Sequence, residues 1–114
     1  MNSEKFVALL EKLLEKTKQE KIKWKRYDPD PEWEPWASEE RSFSCNTGKM
    51  EITMLSGEGT DNIEFDITYD SSLPGASLEV STDAEHQVAL RLLNYVYNQF
   101  PNLEKSIDEF LNGD

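Results

Sequence analysis

From Phe43 to Val80 the chain repeats one device: apolar residues at every second position, broken by short polar turns. Phe43 and Cys45 alternate with Ser42 and Ser44. Met50, Ile52 and Met54 alternate with Glu51 and Thr53. Ile63, Phe65, Ile67 and Tyr69 alternate with Glu64, Asp66 and Thr68, and Leu78 and Val80 flank Glu79. Successive side chains of a strand point to opposite faces, so each segment offers one apolar and one polar face. A sheet of such strands buries one side and leaves the other polar. The breaks at Asn46-Thr47-Gly48, "SGEGTDN" and "SSLPGA" are too short for parallel crossovers, so sequence neighbours pair antiparallel. The spacing predicts strands over 41–45, 49–55, 63–69 and 77–81, with a three-residue loop at Asn46-Thr47-Gly48.

On either side the period changes to that of a helix. Ser3 is a plausible N-cap with Glu4 in the first turn, and Phe6, Leu9, Leu10, Leu13, Leu14 and Thr17 make one apolar stripe over 4–19. "KIKWKRY" then returns to period two. Ile22 and Trp24 face one way and Lys21, Lys23 and Lys25 the other, a strand over 21–27 with a cationic outer row. After the sheet, Asp83 is the first choice of N-cap, with Ser81 and Thr82 as alternatives. The stripe Val88, Ala89, Leu92, Leu93, Val96 and Phe100 follows, and Pro101 ends it. Asn102 caps a last short helix with Leu103, Ile107, Phe110 and Leu111 on one side, and Gly113 sits where a C′ glycine belongs. The expected fold is one α+β two-layer domain over 1–114. An antiparallel sheet of about five strands is covered on one face by an N-terminal helix and two C-terminal helices.

The leading helix, the T-x-x-x-K-I-x-W junction from Thr17 to Trp24, the sheet meander and the closing helices resemble small uncharacterised bacterial proteins. The resemblance implies a provenance; it implies no activity and transfers no functional residue.

Charge narrows the partners. The 114 residues carry a formal net charge of −11. Residues 1–27 are net +4 and residues 28–114 net −15. Direct nucleic-acid binding is disfavoured, because phosphate contact needs Lys and Arg to release counterions. A strongly acidic surface serves solubility, or steers the molecule to a basic partner. No apolar run approaches a membrane span, the N-terminal stretch lacks a signal-peptide pattern, and the lone Cys45 suits a reducing compartment. The expectation is a cytoplasmic protein with no membrane contact.

The chemistry-bearing residues are sparse. Nucleophilic catalysis would have to pair Cys45 with His86, the one histidine; a small buried cysteine and a surface histidine are the plainer reading. Zinc lacks its Cys/His set. "DPDPEWE" alternates acids with prolines instead of offering the flexible, glycine-bearing loop that calcium takes, and "GEGTDNIE" has an equally weak claim. No phosphate-cradling glycine pattern occurs. No catalytic residue, metal or cofactor is expected.

The strongest lead is "DPDPEWEPWASEE", residues 28–40, with Trp33, Trp36, three prolines, six carboxylates and no base. Pro29, Pro31 and Pro35 keep it extended or turning. The tryptophans are either a lid on the protein's own core or partner anchors inside an acidic rim. Outward residues Glu51, Glu64, Asp66 and Glu79 form either a solvated sheet face or a panel imitating nucleic-acid phosphates. The lysines of the first strand are the cations that could pair with that panel. The candidate partner-binding residues are Trp33, Trp36, Asp28, Asp30, Glu32, Glu34, Glu64 and Asp66. The function expected is a protein-binding or inhibitory module, like an immunity protein or a nuclease inhibitor in charge and size, acting on a basic protein. A homodimer joined through the tryptophans is the alternative, and a carboxylate-based enzyme ranks last.

Overall fold

A computed structural model describes residues 1–113. In chain order it contains α1 (Ser3–Lys18), β1 (Trp24–Arg26), a short 3-10 helix (Glu39–Arg41), β2 (Phe43–Asn46), β3 (Glu51–Ser56), β4 (Ile63–Thr68), β5 (Ala76–Glu79), α2 (Asp83–Tyr97) and α3 (Leu103–Asn112). The five strands form one antiparallel sheet in the order β1-β2-β3-β4-β5. The architecture is α+β, as the periodicities require.

The register explains the core. Trp24, Cys45, Ile52 and Ile67 line up across four strands, and Phe43, Met54 and Phe65 form the next row. Both rows are buried with the apolar stripes of α1 and α2 in one cluster. Phe6 of α1 meets Phe65 edge-on at 5.9 Å, and Phe43 stacks against Phe100 at 5.1 Å, geometries that add to area burial. The Thr17 to Trp24 junction is a structural unit: Trp24 Nε1 donates to Thr17 Oγ1 at 2.9 Å, and that hydroxyl donates to Leu13 O at 2.6 Å. Burying a tryptophan next to a polar hydroxyl leaves neither unpaired.

Local chemistry corrects several boundaries. Asn2, not Ser3, caps α1, accepting from Lys5 N at 2.8 Å. Ser3 is thereby free to donate to Glu85. Thr82 is chosen over Asp83 as N-cap of α2, because Glu85 completes a reciprocal capping box with it. The β2–β3 loop has four residues, 47–50, because Asn46 still pairs with Glu51; Asn46 Oδ1 accepts from Gly48 N, and Gly48 takes φ +98°. Tyr69 lies beyond the last ladder pair of β4 and is exposed, not inward. β1 is shorter than the 21–27 expected, although Ile22 and Trp24 are buried and Lys21, Lys23 and Lys25 exposed. Gly113 ends α3 in an extended conformation and donates to Glu109 O.

Candidate functional site

The face of the sheet opposite the helices carries Lys25, Ser44, Thr53, Asp66 and Ser77 in one row, with Glu64 opposite Leu55 and Glu79. On such a face Leu55 should be wet. Instead Leu55 and Ser42 are fully buried and Ser44 nearly so, and Leu55 stands apart from the main core. Residues 27–41 roof this part of the sheet. Tyr27 N donates to Ser42 O, and Ser38 N donates to Ser56 O at 2.9 Å. The Trp36 carbonyl lies where a Cβ on Gly57 would stand, only 2.0 Å away, so the close approach requires glycine.

The proline spacing keeps residues 28–38 of the roof out of helix and strand, and Asp30 shapes its turn. Its carbonyl accepts from Trp33 N and Glu34 N, and its carboxylate accepts from Glu32 N at 2.9 Å. The resulting turn lifts Trp33 to 76% exposure and leaves Trp36 half-buried. Trp36 is thus partly covered, in keeping with the lid reading, whereas Trp33 is not tucked onto the core.

The turn also carries Glu34 over the acidic strand positions. Burial, then the charges of Asp66, Glu34 and Glu79, push the Glu64 carboxyl above its ordinary value. Burial, then Glu34, Asp66, Asp30 and Asp28, push up the Tyr27 phenol. Asp66 accepts from Ser77 Oγ at 2.6 Å. Of the residues singled out in the sequence, Glu34, Glu64 and Asp66 come together, joined by Glu79. Asp28 and Asp30 sit within electrostatic reach of Tyr27. Glu32 is exposed in the same turn, and Glu51 faces outward opposite Asn46 and Thr68.

The lysines do not neutralise this panel. Lys25 shares the row of Asp66, but Ser44 and Thr53 stand between them. Among the described residues the one ion pair is Lys12–Glu15, on α1. Like charges facing across strands destabilise a sheet, so the panel is kept at some expense.

A second feature escaped the sequence reading. An open hollow of about 530 Å³ lies between α3 and the β3–β4 turn. Arg41 and Tyr97 line it, the guanidinium 5.0 Å above the Tyr97 ring. Arg41 Nε is buried without an acceptor among the described residues. Glu40 Oε1 accepts from Tyr97 Oη at 3.3 Å and from Leu103 N at 3.0 Å, clipping the start of α3 to the roof segment. Glu40 and Arg41 lie a few residues past Trp36, but no local pattern signals Glu40's partners 57 and 63 residues away.

Cys45 is buried, and burial with the charge of Glu51 pushes its thiol up to about 12, far from a thiolate nucleophile. His86 lines a different hollow, beside Ser56 and Leu90. Among the described residues no group of three or more His, Cys, Asp or Glu side chains is arranged to hold a metal ion, and no helix is long and apolar enough to cross a membrane. Comparison of the chain with protein-family models, with curated proteins and with solved structures returns no match.

Proposed function

We propose that the protein is a binding module, not an enzyme, and that its outer sheet face with the roof turn docks a basic protein. One observation carries the reading: Glu64 faces Glu79 across the β4–β5 ladder beneath Glu34, with its pKa raised and no base in an adjacent ladder position. Carboxylates gathered against their own repulsion are a recurrent mark of sites where a ligand supplies the missing charge. Trp33 stands exposed in the same turn as Glu34, and a large rigid ring bordered by polar groups is the usual composition of an interface hot spot. Long-range attraction by the net charge of −11 would speed encounter with such a partner. A basic cleft that normally takes nucleic acid fits best, and the proposed module is then inhibitory, in the manner of an immunity protein, and cytoplasmic, where the lone Cys45 would stay reduced. A homodimer through Trp33 is disfavoured because it would bring two acidic panels together.

The test is affinity capture from lysate of the source organism at low salt, comparing the wild type with a Trp33→Ala/Glu64→Gln variant. A basic protein retained by the wild type, released by salt and lost at least about tenfold from the variant is expected. Equal retention by both proteins removes this face from the interaction. Sedimentation of the isolated protein decides the alternative: a concentration-dependent dimer dissolved by Trp33→Ala would replace the proposal.

A further inference from the structure

We propose that α3 and the hollow beside it form a second docking surface, one that takes a cationic amphipathic helix of another protein. The proposal stands on residues separate from the tryptophan turn and holds whether or not that turn engages a partner.

α3 is presented to solvent instead of being packed. Leu103, Ile107, Phe110 and Leu111 fall at i, i+4, i+7 and i+8, a single stripe. None of its residues is buried; Phe110 is 80% exposed and Leu111 71%. Among the described residues only the first turn is fastened to the rest of the molecule. Asn102 accepts from Lys105 N and donates to Tyr97 O and Phe100 O, and Glu40 holds Leu103 N. A helix shorter than about 12–15 residues is marginal in water unless its apolar face is covered. The largest apolar patch on an ordinary monomer measures roughly 300–600 Å² and is often functional.

Shape and charge select the occupant. Leu103 and Ile107 form one side of the hollow, and the exposed Leu90 extends the apolar lining into the adjoining recess. Around the hollow stand Glu40, Glu58, Asp61, Glu104 and Asp108. None of these five carboxylates is in an ion pair among the described residues. The one cation in the lining, Arg41, is already stacked on Tyr97. A second copy related by a twofold axis would bring a second, equally acidic set of these carboxylates into the same interface. An anionic membrane surface meets the same repulsion. What remains is a helix with a Leu, Ile or Phe stripe flanked by Lys or Arg, laid alongside α3 in the helix-in-groove mode.

The probe is a synthetic Leu/Lys peptide with apolar residues at helical spacing. Its controls are a scramble of the same composition and a Leu/Glu counterpart. Binding is read by fluorescence anisotropy, and its location by hydrogen exchange over residues 103–112. The Leu/Lys peptide should bind at least about tenfold more tightly than either control and slow exchange in α3. An Ile107→Asp/Phe110→Asp variant should lose at least about tenfold in affinity, and Trp33→Ala/Glu64→Gln less than about twofold. Neither Ile107 nor Phe110 is buried, so the melting temperature should hold, and unchanged exchange over 103–112 in the free variant separates a lost contact from a melted α3. Equal binding of the scramble reduces the effect to charge alone and overturns the proposal. So does undiminished binding by the α3 variant. Loss only in Trp33→Ala/Glu64→Gln assigns the peptide to the roof face, sinking this proposal and leaving the other intact. A wild-type dimer abolished by Ile107→Asp/Phe110→Asp means that a second copy covers α3, and also overturns it.

Discussion

Two glutamates show how burial alone decides little about a carboxylate. Glu85 is buried, which opposes its charge, yet hydrogen bonds from Ser3, Ser81 and Thr82 outweigh the burial and hold its pKa at about 2. Its folded value lies below the unfolded one, so its stabilisation is complete above about pH 4.5 and drains away as pH falls towards 2. Glu85→Gln should cost about 2 kcal/mol at neutral pH and flatten that acid limb in denaturant titrations. An unchanged acid limb would show that the pairing carries no linkage. Glu64 has the reverse sign. Its folded pKa is raised, so its charge burdens the fold above that pKa and the burden is gone below the unfolded value. Glu64→Gln should therefore stabilise the protein at pH 7 by up to about 1 kcal/mol while weakening binding of the proposed basic partner. A destabilised Glu64→Gln protein would mean that the carboxylate is compensated within the fold. The capping half of the Glu85 site was within local reach, since Thr82 and Glu85 are three apart, although Asp83 was the first choice of cap. Its tie to Ser3, 82 residues away, was not.

Among the elements, the meander could be read directly, because alternation and turn length both belong to the local chain. The roof could not. Its clue is Leu55, which breaks the alternation of "EITMLS" by putting an apolar side chain on the polar face, and something had to cover it. The stripe on α3 was legible too, but periodicity tells which residues share a face, not whether anything lies against it. The roof's weakest tolerance is at Gly57. Gly57→Ala should force the Trp36 carbonyl away, cost about 1–3 kcal/mol and speed exchange of the Ser38 amide that donates to Ser56. A Gly57→Ala protein with wild-type stability and Ser38 protection would show that the roof rides loosely on the sheet.

For the molecule as a whole, charge and topology pull in different directions. A net −11 on a chain of 114 residues, with one exposed ion pair among the described residues, leaves much self-repulsion to be screened. Raising salt from about 10 mM to about 150 mM shortens the screening length from roughly 30 Å to 8 Å and should raise the melting temperature by about 4 °C. A fall would show that attractive pairs dominate after all. Topology is kinder. Each strand pairs with its neighbour in sequence, so hairpins can close one after another as the chain leaves the ribosome. The first helix has no such luck. Phe6, Leu10 and Leu13 belong to a cluster that includes Val88, Leu92 and Val96. At a synthesis rate of roughly 5–20 residues per second, those partners follow several seconds later. During that interval the apolar stripe of α1, made well before the α2 residues that seal it, stays open to chaperones and proteases.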